Sequence, residues 1–566
     1  MTLPARITAI NDTEIDVVII GAGINGAGLF RDLCEQGVRC LIVDKGDYGS
    51  GTSAAPSRLI HGGLKYLETG EFGLVAQSTL ERNLLLKNAP HTVTPLPTVI
   101  PIFSWTKGIW PALRTLFGAT SAPRSRGALL IKAGLMIYDF YGARHRVMPR
   151  HTMVGRKRAL RETRGLTDRI VAAGTYYDAK VSQPERLVFE LMSDGLAANA
   201  QSAALNYTDL APATDGTLTF SRFGETFCVR PKIVINAAGP WIDTVNATLG
   251  APSKMIGGTK GSHILLRNEA LIKSLNGRMI YFEADDGRIC LVYDHLGLAM
   301  VGSTDIPADN PDEVACEPDE VAYMLESVRA LMPGIEISHD QIVYAYSGIR
   351  PLPASDATNP GLISRDHSAP ETKPTAQRPF TIVSMVGGKW TTFRGFAEEV
   401  ADMVLSRIGA ARKTATQDLE IGGGHAFPKD AAARDLWIRS EADATGLTPE
   451  RMDELLSRYG TTARQIARHN GAFSDADRLP DATDYSLNEI DFIVRNEQVG
   501  HLIDIVMRRT TLAITDALTL RDIAAIGEVA GKALGWDKKH LTGEIDGAVQ
   551  LLRQRHMMAI AESTTS

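Results

Sequence analysis

The sequence predicts an α/β protein built in three parts, and three observations lead there. Residues 16–44 read as strand, glycine-rich turn, helix and second strand; the middle of the chain alternates short strands with turns; and the pattern after residue 426 is almost wholly helical. At 566 residues the chain is long enough for several domains of about 100–200 residues each.

Taken in order, Asp16-Val17-Val18-Ile19-Ile20 is a continuous apolar run of the kind buried on both faces of a parallel sheet. Gly21-Ala22-Gly23-Ile24-Asn25-Gly26 follows, then a helical stretch that stops at Gly37, then a second apolar run ending in Asp44. Residues 49–56 form a Gly/Ser/Thr-rich loop. Phe72, Ala76, Leu80 and Leu84 recur at helical spacing. Residues 262–266, 288–293 and 299–302 predict an antiparallel sheet, and the strand-like run 232–238 ends in Gly239-Pro240. Residues 410–429, rich in Gly, Ala, Thr and charge, suggest a linker. Beyond it, Thr448-Pro449 marks one helix start and Ser486 with Glu489 another.

Composition narrows the function classes. The 60 Lys+Arg against 66 Asp+Glu give a net charge of −6, which argues against a nucleic-acid-binding domain. The five cysteines are scattered, odd in number and nowhere spaced as CxxC, so neither a disulfide framework nor a zinc site is expected. No apolar run reaches the length of a spanning helix, and the first twenty residues do not read as a secretory signal. The expectation is a cytoplasmic protein in a reducing compartment.

The turn at residues 21–26 carries the first chemistry. Gly21 permits a tight turn, Gly23 lets backbone approach a pyrophosphate, and Gly26 allows close helix–strand packing. The helix N-terminus supplies N–H groups and a positive dipole end. Asp44, at the end of the second strand, stands where a carboxylate accepts ribose hydroxyls. This is a Rossmann-like dinucleotide site, and the turn alone does not choose between NAD and FAD.

Later segments choose. Ser57-Arg58-Leu59-Ile60-His61-Gly62-Gly63-Leu64-Lys65-Tyr66-Leu67-Glu68 is followed by Ile235-Asn236-Ala237-Ala238-Gly239-Pro240-Trp241, Lys260-Gly261-Ser262-His263 and Gly302-Ser303-Thr304-Asp305. Then come Tyr346-Ser347-Gly348-Ile349-Arg350-Pro351-Leu352, Ser364-Arg365-Asp366 and Gly387-Gly388-Lys389-Trp390-Thr391-Thr392-Phe393-Arg394. Together these resemble the membrane-associated, FAD-dependent glycerol-3-phosphate dehydrogenases over essentially the whole chain, including an Arg508-Arg509-Thr510 element.

The resemblance implies a glycine-oxidase-like fold. A discontinuous FAD-binding domain (about 14–100, 165–250 and 345–410) carries an inserted antiparallel substrate domain (about 100–165 and 250–345), and residues 426–566 form a helical domain. It implies FAD contacts from Gly21, Gly23, Asn25, Gly26, Asp44, Thr52 and Ser53. Further contacts come from Ala238, Gly239, Gly388, Lys389, Trp390 and Thr391. A glycerol phosphate needs cations for its phosphate and a base for its hydroxyl proton. Arg350 is expected close to the reacting oxygens, with Lys65, Tyr66, Arg365 and Lys389 cradling the phosphate. His61 is the first candidate base and His263 the second, while His91, His145, His295 and His367 read as structural.

Three departures from the family pattern stand out. Lys65 replaces an arginine, Trp390 replaces a leucine, and Ser182-Gln183-Pro184-Glu185-Arg186-Leu187 replaces an acidic D-D-A-R-L block. They leave open a longer polyol phosphate, such as erythritol phosphate, as substrate. The aromatic and basic stretch from Trp105 to Arg158, with the apolar run 128–137, suggests a peripheral membrane surface and a quinone acceptor. Oxygen as acceptor and a homodimer both stay open. An NAD-dependent alcohol dehydrogenase would use Gly21–Gly26 and Asp44 but leave residues 61–68 and 387–394 without a task. A non-catalytic flavoprotein is the alternative of another class.

Overall fold

The computed structural model describes residues 3–67, 70–106, 127–143, 147–284, 286–308, 310–354 and 366–562. Two sheets and a helical C-terminal region organise them, as the sequence predicts. The first sheet centres on Thr13–Ile20, which pairs in parallel with Glu225–Asn236 on one side and Cys40–Val43 on the other. Thr381–Ser384 and Ala203–Leu205 extend the parallel set outward. Its strands therefore come from widely separated stretches of chain. Val17 and Ile19 pack on one face with Leu29, Phe30 and Val400, while Val18 and Ile20 pack on the other with Phe220, Phe227 and Phe380. Burial on both faces is what an uninterrupted apolar run encodes.

Among the described residues the second sheet has ten strands, antiparallel except where Met279–Glu283 runs parallel to Val93–Ile102. Its longest pairing, at one side of the sheet, is that of Ile256–Leu266 with Ile342–Pro353, which sets Thr259 opposite Arg350 and His263 opposite Tyr346. Leu298–Gly302 flanks it, with Gly302 opposite His263. The expected segment boundaries differ from this pairing at four places. Leu59–Ile60, Val93–Ile102, Ala172–Val181 and most of Ile342–Pro353 fall inside segments assigned to the nucleotide-binding part, yet they lie in the second sheet. Local alternation marks a strand; only long-range pairing decides which sheet it joins.

The C-terminal helices include Pro449–Tyr459, Leu487–Asn496 and Leu520–Leu534. Thr448 and Ser486 cap their helices as expected, accepting from the Arg451 and Glu489 amides at 3.2 and 3.1 Å. Their core continues into the second sheet through Leu265, Met300, Tyr344 and Tyr346. The stretch 410–429 is not a free linker. The Lys413 and Thr414 amides donate to Gln36 Oε1 at 2.7 and 3.0 Å, and the buried Ile421 donates its N–H to Asn88 O at 2.8 Å. The composition suggests a linker; hydrogen bonds from its backbone amides to Gln36 and Asn88 hold it down.

The Arg508-Arg509 element ties the helical region to the first sheet. Asp47, just past the second strand, accepts from Arg509 at 2.8 and 2.9 Å and from Arg508 at 2.6 Å. The atypical block at 182–187 also serves such joints. Glu185 pairs with buried Arg58 at 2.8 Å, and Arg186 pairs with Glu497 at 2.9 Å. These contacts give the departure at 182–187 a place in the scaffold.

Candidate active site

The strand Thr13–Ile20 delivers the chain into Gly21, whose φ of +103° only glycine adopts readily. A Cβ there would lie 2.6 Å from Ala237 O, so this turn and the 237–239 segment are pressed together. A Cβ on Gly26 would meet Gly21 O at 2.0 Å. The helix Ile24–Glu35 starts here, and its Ile24 amide donates to Ser53 Oγ at 2.9 Å. Asp44 accepts from the Ala22 and Gly46 amides at 2.7 and 2.9 Å; burial pushes its carboxyl up to about 6 in spite of those two donors.

The segment 387–391 folds against the same turn. Gly387 and Gly388 have φ of +74° and +85°, and a Cβ on Gly388 would come within 3.0 Å of Asn25 Nδ2. Asn25 Nδ2 donates to Gly387 O at 3.3 Å, and Trp390 Nε1 donates to Ser53 O at 3.1 Å. Thr391 Oγ1 accepts from the His61 amide at 3.1 Å, and Lys389 Nζ sits 3.7 Å above the Tyr66 ring. Thus 21–26, 52–53, 61–66 and 387–391 converge at the ends of the parallel strands. Lys65 lies beside Tyr66 on the turn Leu64–Leu67 and is exposed.

The second sheet adds Arg350 and His263. Thr52 Oγ1 donates to Ile349 O at 2.6 Å, which brings the Arg350 strand next to the loop after Asp44. The Arg350 guanidinium donates to Thr304 O and Asp305 Oδ1, both at 3.2 Å, and to Ser303 Oγ at 3.1 Å. A Cβ on Gly261 would come within 2.1–2.4 Å of that guanidinium, so a glycine is what leaves it room. His263 Nε2 shares a 2.8 Å hydrogen bond with Ser57 Oγ, and its ring stacks on Tyr346. Burial, then the charges of Arg350 and Arg58, pull its pKa down to about 3. His263 is therefore a neutral imidazole near neutral pH and a weak base. His61 is half-buried rather than buried, which suits it better to proton exchange.

Arg365 and His145 lie outside the described residues. His91 pairs with Glu190 at 2.8 Å, His367 with Glu399 at 3.0 Å, and His295 is buried. The blocks containing Gly261, Ser303, Thr304 and Asp305 stand out in the sequence, but these four residues carry no role there. Their signal is spacing within those blocks; their task appears only through the cross-strand pairing.

A family model described as FAD dependent oxidoreductase matches residues 16–403. The chain belongs to that family. A second model, the C-terminal domain of alpha-glycerophosphate oxidase, matches residues 414–541 of this FAD-dependent oxidoreductase. A glycerol-3-phosphate dehydrogenase of Synechocystis is 31% identical, covering 96% of this chain and 97% of that protein. An aerobic glycerol-3-phosphate dehydrogenase of Staphylococcus saprophyticus is 27% identical over 98% of each chain. Among solved structures, the glycerol-3-phosphate dehydrogenase of Bacillus halodurans complexed with FAD superposes with a TM-score of 0.73 at 20% identity, covering 97% of each chain. At that identity the likeness is one of fold.

The residues present fit FAD, the family's cofactor. Asn25 Oδ1 is a buried oxygen with no hydrogen-bond partner among the described residues. Gly239, at φ +56°, faces open space, with nothing within 4 Å of where a Cβ would stand. Beside them lie a helix N-terminus and the half-buried Asp44 carboxyl, the donor and acceptor set that a dinucleotide requires.

Proposed function

We propose that this FAD-dependent oxidoreductase oxidises glycerol 3-phosphate to dihydroxyacetone phosphate and passes the electrons to a quinone at a membrane surface. The observation that carries the reading is the convergence of His61, Tyr66, Lys389 and Arg350 where the glycine turn, the 387–391 segment and the second sheet meet. The full-length similarity to glycerol-3-phosphate dehydrogenases supports the substrate.

FAD, when bound, supplies the hydride acceptor. His61 takes the hydroxyl proton at its imidazole. Arg350, held by Thr304 O, Ser303 Oγ and Asp305, stabilises the oxygen that becomes a carbonyl. Lys389 and Lys65 hold the phosphate, and the Tyr66 ring orients the Lys389 ammonium from below. His263, neutral and bonded to Ser57, orders the wall behind Arg350.

Anaerobic mixing of the purified, FAD-loaded protein with substrate tests this. Glycerol 3-phosphate is expected to bleach the flavin absorbance, and unphosphorylated glycerol is not. Faster bleaching by a four-carbon polyol phosphate would overturn the substrate assignment, and no bleaching by any phosphorylated polyol would overturn the function.

The membrane part rests on a surface. Helix Ala128–Tyr141 exposes Leu129, Met136, Ile137 and Phe140, the last at 75%, near Trp105 at 57%. Monomeric proteins seldom leave such apolar side chains together in water. No helix among the described residues is long and apolar enough to cross a membrane, so the contact proposed is peripheral. Of the basic stretch expected to accompany this face, residues 107–126 and 144–146 lie outside the described residues. Phe140→Asp is expected to lower co-sedimentation with anionic phospholipid vesicles while dye-linked turnover stays unchanged. Equal sedimentation of variant and parent would refute this docking face.

A further inference from the structure

We propose that Glu320 and Thr304 form a relay that positions Arg350, making both residues determinants of turnover although neither is assigned to touch substrate or cofactor. The inference rests on the placement of Arg350 at the reacting oxygens, as proposed above.

Glu320 lies in the first turn of helix Pro318–Leu331, outside every block that the sequence singles out. Its ordinary role is visible: with Glu317 it makes a capping box, in which Glu320 Oε2 accepts from the Glu317 amide at 3.0 Å. That role leaves the other oxygen for different work. Glu320 Oε1 accepts from Thr304 Oγ1 at 2.6 Å and from Ser262 Oγ at 2.8 Å, and Lys260 Nζ lies 2.8 Å from Oε2. Only 2% of the residue is exposed. Burial alone would raise the Glu320 carboxyl. The Glu317 amide, Lys260 and the two hydroxyls outweigh burial and hold it below the usual carboxylate range, so it is ionised near neutral pH.

The Thr304 hydroxyl is fixed from both sides. It donates to Glu320, and it accepts from the Ser262 amide at 2.9 Å. Ser262 belongs to the strand that pairs with the Arg350 strand and is the residue after Gly261, whose missing side chain makes room for the guanidinium. With its side chain locked, Thr304 presents its carbonyl oxygen to Arg350 Nη1, and its neighbours Ser303 and Asp305 take Nη2 and Nη1. One buried carboxylate thus joins three blocks, 260–263, 302–305 and 346–352, around a single guanidinium. Charge-assisted hydrogen bonds of this kind fix geometry more firmly than neutral ones. A reacting group displaced by about 1 Å can lose a large part of its rate contribution.

The test is a double-mutant cycle on the FAD-loaded protein. Thr304→Val keeps the shape and removes the hydroxyl; Thr304→Ser keeps the hydroxyl. Thr304→Val is expected to lower kcat on glycerol 3-phosphate about 10-fold or more, with FAD content and thermal midpoint close to the parent. Thr304→Ser is expected to stay within about twofold. In an Arg350→Ala background, Thr304→Val should cost nothing further, because the group it positions is gone. Parental turnover by Thr304→Val would overturn the relay, as would an equal loss with and without Arg350. Parental turnover by Arg350→Ala alone would overturn the placement of Arg350, and the relay with it. Should Thr304→Val fail to accumulate, Glu320→Gln enters the same cycle. Its amide cannot accept from both Lys260 and the Glu317 N–H while also accepting from the two hydroxyls.

Discussion

Arg350→Ala is expected to lower turnover on glycerol 3-phosphate by about 10²–10³-fold, the range found when one preorganised donor to a developing oxyanion is removed. The FAD content of the purified protein should not change. The side chain leaves a strand whose backbone pairing with Ile256–Leu266 does not depend on it. The glycine turn and the 387–391 segment, proposed to hold the cofactor, keep all their mutual contacts. Flavin absorbance per chain and steady-state dye reduction, measured together, separate the two effects. Lysine at this position is expected to recover little, since a point charge cannot reproduce donation to Thr304 O, Ser303 Oγ and Asp305 at once. A variant with intact flavin and parental kcat would remove Arg350 from the site.

Asp47→Ala should have the largest effect on stability, on the order of 3–5 kcal/mol, because it leaves buried guanidinium charge without its carboxylate. Asp47 is 1% exposed and Arg509 fully buried, so water cannot substitute for the missing partner. Burial alone would raise the Asp47 carboxyl, but the charges of Arg509 and Arg508 outweigh it and hold it well below the ordinary range. A depressed carboxyl contributes its full stabilisation above the unfolded-state value of about 3.9, and loses it as pH falls through the folded-state value. The parent and Asp47→Ala should therefore differ most near neutrality, and their urea midpoints should converge in strong acid. Equal midpoints at pH 7 would show that this cluster does not hold the helical region to the first sheet.

Local pattern made much of this molecule legible. The apolar run at 16–20, the glycine turn, the helix stop at Gly37 and Asp44 all depend on neighbours within a few tens of residues, and period, turn chemistry and capping encode such neighbours directly. The helix starts at Thr448 and Ser486 were readable for the same reason. Residues 61–66, 346–352 and 387–391 stood out as blocks, so the candidate site could be assembled from them. What the blocks lacked was mutual geometry. Nothing local says that Thr52 bonds Ile349 O, that Trp390 bonds Ser53 O, or that Lys389 rests on Tyr66. The sequence ranks His61 ahead of His263 only through the motif block around it, with no physical ground for the order. Burial next to two arginines is what disfavours His263 as a base.

By itself, the order of residues determined the α/β class, the dinucleotide turn, the antiparallel middle and the helical end, because each follows from side-chain period and backbone freedom over short stretches. The tertiary structure alone decided which strands share a sheet, that residues 410–429 are tied down, that Asp47 meets Arg508 and Arg509, and that Glu320 stands behind Arg350. Those outcomes depend on contacts between residues far apart in the chain. A buried charge or hydroxyl in such a place must find its partner wherever folding brings one, and no local pattern names that partner in advance.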